Sequence, residues 1–588
     1  MSVPKTFVPK AMKNAASNSP WDSEVRLLIW LATSVSVFSF LFYFQRGDVL
    51  LYGDAVAHIN IARRVFDSKT PGLLQLGTVW LPLPHLAMIP FLISKEMWQR
   101  GVGGSIPSMV AYVFGVVGMF RLVRGAISRG AISRGVAPDR IASLAAWIAA
   151  LVFAANPNLI YIQTTAMGES LYLAFFIWAV VYFSEFVRGD AKALTKCGLC
   201  LAAACLTRYD GWFLSTVIAT VVVLFSNLPA EMVSRFRPAR AALVKFVLIA
   251  AAAPALWLAY NGIVYRNPLE FANGPYSAKA IERRSQGGNQ GHPGSGKPVL
   301  AGMYFLKSAE ANMAENTWLQ RGWVLLALAA LVIVVLSSAV SIIPVSIAAA
   351  PNPRPELSAS GKSRRGAWLP LLLLLVPVPF YALSVAYGGV PIFVPAWWPF
   401  SHYNVRYGLQ LLPAFSAALA ILVYRAARSE GWSPWLRLAC VLGALAWVTA
   451  SYASVWRAGP VSLVEAQVNM HSRKQLETVL ASQLAVQLRN LPPDSTLLMY
   501  LGDHVGALQQ AGIPLHRVIN EGNHRTWKQP VDSDGLWERA LADPAKFADC
   551  VVAFEGDPVW QAVQGRHFPE MVEIHVTGQA RAVLYRAR

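Results

Sequence analysis

Several short stretches of the sequence place ionisable side chains beside long apolar segments. The first, GDAVAHINIARR, puts Asp54 and His58 four residues apart, with Arg63 and Arg64 beyond them. Residues at i and i+4 lie on one face of a helix, so Asp54 and His58 would act on the same side. A carboxylate there can accept a proton from a hydroxyl group. It can also cap the helix that follows it, and taken alone the stretch favours the cap.

Three further stretches carry polar side chains at the ends of apolar segments. They contribute Glu169 from TTAMGESLYLAFF, Arg208, Tyr209 and Asp210 from LTRYDGW, and His402, Tyr403, Arg406 and Tyr407 from HYNVRYGLQLLP. An arginine can fork onto two phosphate oxygens, which would explain these cations beside apolar segments. Simpler explanations are that the acids interact with helix N-termini or pair with a neighbouring cation, the arginines snorkel, and the aromatic rings form an interfacial belt.

The composition indicates a membrane protein. The chain has 588 residues, of which 55% are hydrophobic and 14% charged, against about 25% charged residues in soluble domains. Its formal net charge is +19, and the basic residues fall in short segments between apolar stretches. Cytoplasmic loops of membrane proteins have this distribution. The basic segments lack the interleaved aromatic residues of a nucleic-acid-binding surface, so we expect no nucleic-acid partner.

Apolar stretches of about 20 residues predict about eleven transmembrane helices. They lie at 27–45, 106–121, 141–160, 170–187, 193–207, 211–227, 243–264, 322–345, 367–387, 408–425 and 436–456. Alternate loops are basic and nearly free of acids, which places them and a 1–26 tail in the cytoplasm. The loops 46–105 and 265–321 and the C-terminal region 457–588 are then periplasmic, on the same side as the four polar stretches.

The first outer loop and the C-terminal region have predicted structure of their own. The apolar spacing predicts an interfacial helix over 54–66, and LPLPHLAMIPFLI (81–93), which contains His85, predicts a second interfacial segment. Strand-like and helical stretches after residue 457 predict a small α/β domain. Asp503, His504 and Asp557 follow its predicted strands, where they would recognise an acceptor or, more simply, cap helices.

On this topology the four polar stretches meet at the outer membrane surface. A base there can deprotonate a hydroxyl acceptor, and arginines can hold a phosphate leaving group. Aromatic side chains suit a sugar or a prenyl chain. The residues therefore indicate a site for sugar transfer from a lipid phosphate.

The motifs also resemble those of a known family. YGDAVAHINIARRV after the first span, TTAMGESLYLAFF, LTRYDGW and HYNVRYGLQLLP, in this order and with a long first outer loop, resemble the GT-C superfamily of membrane glycosyltransferases. The resemblance is strongest to the bacterial branch of protein O-mannosyltransferases and aminoarabinose transferases. It covers the membrane region, about three quarters of the chain, and implies a mainly α, polytopic helical bundle in the bacterial inner membrane.

The resemblance implies roles for individual residues. Asp54 matches the catalytic base and Glu169 a second acid, while Arg208 and Arg406 match cations that bind the phosphate of a polyprenyl-phosphate sugar donor, such as undecaprenyl phosphate. The other substrate-binding candidates are His58, Arg63, His85, Tyr209, Asp210, His402, Tyr403 and Tyr407. The acceptor would be a lipid, a glycan or a protein, and a single displacement would invert the anomeric carbon.

No obligatory metal or other cofactor is expected, because no D-x-D motif accompanies Asp54. Histidines at 58, 85, 292 and 402 leave a zinc site open as an alternative. Two other functions also stay open, a lipid-linked sugar transporter or flippase and a non-catalytic protein of envelope assembly. Transporters usually show internal repeats and broken midplane helices, and the sequence shows neither clearly.

Overall fold

The structure, a computed structural model, describes residues 20–127, 140–227, 240–286, 291–342, 368–489, 491–502, 504–523, 534–568 and 570–587. Most of the expected cytoplasmic tail, parts of several basic loops and Asp503 lie outside the described residues. Everything below concerns the part of the chain that is described.

The first half of the described chain is helical. Its helices are α1 (Pro20–Gln45), α2 (Gly53–Arg64), α3 (Pro82–Leu92), α4 (Lys95–Gln99), α5 (Val102–Ile127), α6 (Arg140–Ala154), α7 (Pro157–Ile162), α8 (Glu169–Val187), α9 (Ala191–Cys205) and α10 (Asp210–Asn227). The predicted interfacial segments of the first outer loop are α2 and α3. Each begins after a residue with extended backbone, Tyr52 and Leu81, so the chain changes direction before both helices.

The second half completes the bundle and adds a sheet. Its helices are α11 (Arg240–Val264), α12 (Glu270–Asn273), α13 (Ala278–Gln286), α14 (Pro298–Met313), α15 (Thr317–Ile342), α16 (Pro377–Tyr387), α17 (Leu412–Ala427), α18 (Pro434–Ala458), α19 (Val461–Arg489), α20 (Val505–Ala511), α21 (Leu536–Ala542), α22 (Pro544–Phe547) and α23 (Pro558–Val563). The strands are β1 (Leu497–Met499), β2 (Val518–Ile519), β3 (Cys550–Phe554), β4 (Glu570–Ile574) and β5 (Ala582–Arg586). A 3₁₀ helix, Val405–Leu411, precedes α17.

Wherever the structure describes them, the predicted spans fall on helical segments. Among the described residues, eight helical stretches are long and apolar enough to cross a membrane, and three shorter apolar helices accompany them, at 82–92, 140–154 and 210–224. Small side chains let these helices pack closely: Ala145, Ala146 and Ala149 of α6 are fully buried, and α6 packs against α5 and α17. The core of the bundle is therefore built from close helix contacts as well as from large apolar side chains.

The C-terminal domain is the small α/β unit that the sequence predicts. Its five strands lie in the order β2-β1-β3-β5-β4, with β1, β2 and β3 parallel and β5 antiparallel to both β3 and β4. Helix α19 leads into this domain, but its first turns pack against α7 and the 3₁₀ helix of the bundle. The start of α19 therefore belongs structurally to the membrane region, although it lies beyond the last predicted span.

Two glycines permit close backbone approaches next to the polar stretches. A Cβ at Gly211, directly after Asp210, would lie 2.5 Å from the carbonyl carbon of Ala204 in α9. A Cβ at Gly408, in the 3₁₀ helix, would overlap the backbone of Ser308 in α14. Only glycine lets these two segments lie against their neighbouring helices, and both segments carry arginines discussed below.

We expect Gly408→Ala to destabilise the protein by about 1–3 kcal/mol, since the added methyl group overpacks against helix backbone that has no room to move. The apparent melting temperature of the purified protein in detergent measures the effect. Gly443→Ala is the matched control, because a Cβ at Gly443 on the exposed face of α18 meets nothing within 4 Å. Equal melting temperatures for the two variants would contradict the close approach.

Candidate functional site

A guanidinium bound by three carboxylates lies at the centre of the candidate site. Arg406 extends from the 3₁₀ helix Val405–Leu411 and is 7% exposed. Its Nη2 is 2.7 Å from Asp54 Oδ2, its Nη1 is 2.6 Å from Glu465 Oε1, and its Nε is 3.2 Å from Glu169 Oε1. These acids belong to α2, α19 and α8, so one side chain joins three separate helices to the segment that carries it.

The second guanidinium of the cluster, Arg208, lies in the short turn between α9 and α10. Its Nη1 is 3.1 Å from Glu169 Oε1, the same oxygen that Arg406 contacts. Its Nε is 3.4 Å from Asp210 Oδ2, and its Nη2 donates to the hydroxyl of Tyr381, which donates in turn to Asp210. The Arg208 side chain is therefore held inside the cluster and does not snorkel towards water.

The carboxylate of Asp54 does not cap its helix. The N-cap position of α2 is Tyr52, and no side chain caps that helix end. Glu169 is the first residue of α8, whose N-cap is Gly168, again without a side-chain cap. Both carboxylates bind arginines instead. The capping explanation, which the sequence alone favoured for Asp54, is wrong, because the carboxylate pairs with Arg406 from a distant segment of the chain.

Aromatic rings lie against the guanidiniums. The ring of Tyr407 is 4.9 Å from Arg208 Cζ and 5.2 Å from Arg406 Cζ, and the ring of Tyr52 is 5.0 Å from Arg406 Cζ. A cation over the face of a desolvated aromatic ring gains about 2 kcal/mol. The Tyr52 hydroxyl donates to the carbonyl of Ser462 at 2.7 Å, which ties the start of α2 to α19.

One acid of the cluster differs from the others in its exposure. The Asp54 side chain is 42% exposed, whereas Glu169, Asp210 and Glu465 are 5% exposed or less. Four negative and two positive charges give the cluster a formal charge of −2 when all four acids are ionised. Asp54 is thus the acid that a hydroxyl group can reach, and the buried acids hold the arginines in place.

A histidine pair lies beside the cluster. His58 Nδ1 and His85 Nε2 are 2.8 Å apart, and the His58 ring packs 4.7 Å from that of Trp80. Burial lowers the pKa of His58 and lowers that of His85 well below its usual value, so both rings are neutral at pH 7. His85 Nδ1 is buried and has no hydrogen-bond partner among the described residues. The pair therefore carries one shared hydrogen bond and fixes the orientation of His58 next to Asp54.

The structure brings six of the twelve predicted site residues into the cluster. These are Asp54, Glu169, Arg208, Asp210, Arg406 and Tyr407. His58 and His85 lie beside it. Tyr209 is near the cluster in sequence, but its hydroxyl donates to the Val79 carbonyl and its ring stacks on Phe271.

Three predicted substrate-binding residues have other contacts. Arg63 pairs with Asp67 at 2.8 Å and stacks on aromatic rings of the first outer loop. Tyr403 exchanges backbone hydrogen bonds with Phe393, and the His402 carbonyl accepts a hydrogen bond from the Asn469 side chain. The contacts of Tyr403 and His402 use their backbone atoms, so the substrate-binding role of the three side chains stays a prediction.

Sequence reasoning missed three members of the cluster. Glu465 is 1% exposed and also accepts a hydrogen bond from the Val405 backbone N–H. The Tyr381 hydroxyl accepts a hydrogen bond from Arg208, and the Tyr52 ring lies against Arg406. A signal for Glu465 existed, since an acid among apolar residues soon follows the last span in VSLVEAQV. Tyr381 lies inside an apolar span and has no comparable signal.

The part of the chain that the structure describes contains no cluster of side chains suited to a metal ion. Within it, no three His, Cys, Asp or Glu side chains are grouped as metal ligands. His58 and His85 contact each other, and His292 lies 3.2 Å from Glu282. The five cysteines are free. The expectation that the protein needs no metal stays a prediction.

An apolar groove lies between α10 and α11. It has a volume of about 640 Å³, and its lining includes Trp212, Leu224 and Leu258 but no residue of the ion cluster. The twelve residue steps from Trp212 to Leu224 span about 18 Å of helix. The groove is therefore long enough to hold an extended hydrocarbon chain.

Comparison with solved structures places this geometry in a known fold. ArnT from Cupriavidus metallidurans, bound to undecaprenyl phosphate, matches with a TM-score of 0.52 and 14% sequence identity, over 96% of this chain and 98% of that one. Its apo form matches with a TM-score of 0.52 and 13% identity, over 97% and 99%. The apo oligosaccharyltransferase of Archaeoglobus fulgidus reaches a TM-score of 0.44 at 13% identity, over 96% and 74%, too low to support an argument.

The sequence itself matches no protein-family model and no curated protein sequence. The likeness to ArnT is one of fold, and it extends over both the helical bundle and the C-terminal domain. The GT-C architecture expected from the motifs is confirmed. The chain is a multi-pass membrane protein with the GT-C fold in its ArnT-like form.

Proposed function

We propose that this protein is a glycosyltransferase that moves a sugar from a polyprenyl-phosphate donor to a hydroxyl acceptor at the periplasmic face of the bacterial inner membrane. The observation that carries the proposal is the contact between Asp54 and Arg406 at 2.7 Å. It places an accessible proton acceptor beside a cation suited to a phosphate. The ArnT structure with the same fold was solved with undecaprenyl phosphate bound.

The arginines have donors left for a phosphate. A guanidinium has five N–H groups, and the contacts described above use three on Arg406 and three on Arg208. A donor phosphodiester gains negative charge as its bond to the sugar breaks. Fixed guanidiniums beside it therefore stabilise the transition state more than the bound donor.

The proposed reaction is a single displacement. The acceptor oxygen attacks the anomeric carbon, the bond from that carbon to the phosphate oxygen breaks, and the polyprenyl phosphate leaves with the electron pair. The hydroxyl proton passes to Asp54. Attack from the side opposite the leaving group inverts the anomeric carbon.

Donor binding would also free the base. In the structure Arg406 Nη2 donates to Asp54 Oδ2, so one carboxylate oxygen is already occupied. A phosphate oxygen that takes this N–H releases Oδ2 towards the acceptor. Glu169 and Glu465 keep Arg406 in place meanwhile through Nε and Nη1. This exchange predicts that the donor binds before the acceptor is activated.

The apolar groove fits the lipid part of the donor. The groove lies between α10 and α11, and Trp212 at one end is four residues from Arg208 in the sequence. A prenyl chain in the groove would bury apolar surface along most of its length. The sugar identity and the acceptor class, whether lipid, glycan or protein, stay open.

We expect Asp54→Asn to lower kcat by about 10²–10⁴-fold, because the variant keeps the side-chain size but cannot accept the proton. The assay supplies undecaprenyl-phosphate sugars to purified protein in nanodiscs and measures the release of undecaprenyl phosphate. Glu96→Gln is the control, since Glu96 is an exposed acid of α4 outside the cluster. A folded Asp54→Asn protein that transfers sugar at the full rate would disprove the base assignment. Passage of labelled donor across the bilayer without transfer would support the flippase instead.

We expect Glu465→Ala to destabilise the protein by about 3–5 kcal/mol, because the change leaves part of the Arg406 charge without its buried partner. Glu465→Gln should recover only part of this loss, since its single amide oxygen can accept from Arg406 or from the Val405 N–H but not from both. Glu96→Ala, the control, removes an exposed ion pair with Arg100 in α4 and should cost about 1 kcal/mol or less. Thermal unfolding in detergent gives the three values, and equal losses for Glu465→Ala and Glu96→Ala would argue against a central role of Glu465.

The histidine pair predicts that stability falls in mild acid. Because burial lowers the pKa of both rings, the unfolded chain takes up these protons at a higher pH than the folded protein. The pair's contribution to stability is therefore lost as the pH falls below about 6.5. His85→Gln should flatten the decline of melting temperature with falling pH, and His575→Gln, an exposed control, should leave it unchanged. An unchanged slope in His85→Gln would contradict a neutral buried pair.

A further inference from the structure

The C-terminal domain holds the helix that carries Asp54. After β2, the carbonyl of Gly522 accepts a hydrogen bond from Gln75, and Asn523 donates to the hydroxyls of Ser68 and Thr70 in the first outer loop. The carboxyl ends of parallel strands are where α/β domains usually bind ligands. Here part of that edge is occupied by the chain's own first outer loop.

A closed ring of buried hydrogen bonds makes the firmest of these contacts. Asn60 of α2 donates to Gln509 Oε1 at 2.6 Å, Gln509 of α20 donates to the Trp98 carbonyl at 2.8 Å, and the Trp98 indole donates to Asn60 Oδ1 at 3.0 Å. All three side chains are 1% exposed or less. Because water cannot replace any of these bonds, the ring resists any slip of α2 against the domain.

A second contact lies one turn further along α2. Arg63 pairs with Asp67, whose other carboxylate oxygen accepts hydrogen bonds from the backbone and ring nitrogens of His516 in the C-terminal domain. The candidate substrate residue Arg63 therefore connects α2 to this domain. Together with the hydrogen-bonded ring, this contact fixes the position of the C-terminal half of α2 along its axis and its rotation about that axis.

Asp54 lies six residues before Asn60 on the same helix, about 9 Å along the axis. A helix of this length moves as one rigid piece. A shift of about 1 Å at Asn60 would move Asp54 by a similar distance relative to Arg406, and misplacement of this size can cost about 10²-fold in rate.

We propose that the C-terminal domain positions the base, with Gln509 as the positioning residue. Gln509 joins both Asn60 and Trp98, so its amide fixes α2 relative to the domain. The domain acts through geometry rather than by binding substrate. This inference rests on the proposed transferase function.

The discriminating variant is Gln509→Met, which keeps the side-chain length and removes both hydrogen bonds. We expect kcat to fall about 10–100-fold while KM for undecaprenyl-phosphate sugar stays nearly constant, because the arginines proposed to bind the sugar donor do not lie on α2 and are not moved. The control is Val559→Ala. Val559 of α23 is fully buried in a hydrophobic cluster of the same domain with Leu498 and Val551. The variant should lower the melting temperature without lowering kcat.

A double variant separates positioning from simple loss of stability. If the ring acts as one unit, Asn60→Leu combined with Gln509→Met should lose no more kcat than the worse single variant. Hydrogen exchange of residues 53–64 should rise in Gln509→Met and not in Val559→Ala. Equal kcat losses in Gln509→Met and Val559→Ala, or wild-type kcat in Gln509→Met, would overturn the inference. Absence of transfer by the wild-type protein would instead refute the proposed function and leave the exchange result as the test of the contact.

Discussion

The burial of one charge shapes this structure. An arginine at 7% exposure keeps its charge only if carboxylates replace the water that it loses, since an unpaired buried ion costs several kcal/mol. Arg406 meets this requirement with three acids from three helices. Those acids need partners of their own, and Arg208, Tyr52 and the Val405 backbone N–H supply them. The cluster therefore determines how the ends of the helices meet.

The same requirement draws the C-terminal region into the site. Glu465 reaches Arg406 only because α19 begins against the bundle before it enters the α/β domain. The domain then returns to the first outer loop through α20 and the residues after β2. Asp54 is consequently held from two sides, by Arg406 at the start of α2 and by Gln509 towards its end. An acid that is 42% exposed needs such support, because little packing surrounds its carboxylate.

Much of the site could be predicted because ionisable residues are rare beside apolar spans and usually have a purpose there. This reasoning found Asp54, Glu169, Arg208 and Arg406. It failed for Glu465, which was assigned to a soluble domain where acids are ordinary. It also did not foresee that Arg63 pairs with Asp67, which in turn contacts His516.

By itself the sequence determined the helical bundle, the two short helices α2 and α3 that follow its first span, and the α/β character of the C-terminal domain. Apolar length and periodicity are local properties, and they suffice for elements of this kind. Only the tertiary structure decided which charges pair and that Asp54 binds an arginine rather than capping its helix. It also decided that the C-terminal domain is hydrogen-bonded to α2. These contacts join residues up to several hundred positions apart in the sequence. Which group can pair with a buried charge depends on which residues the fold brings close to it.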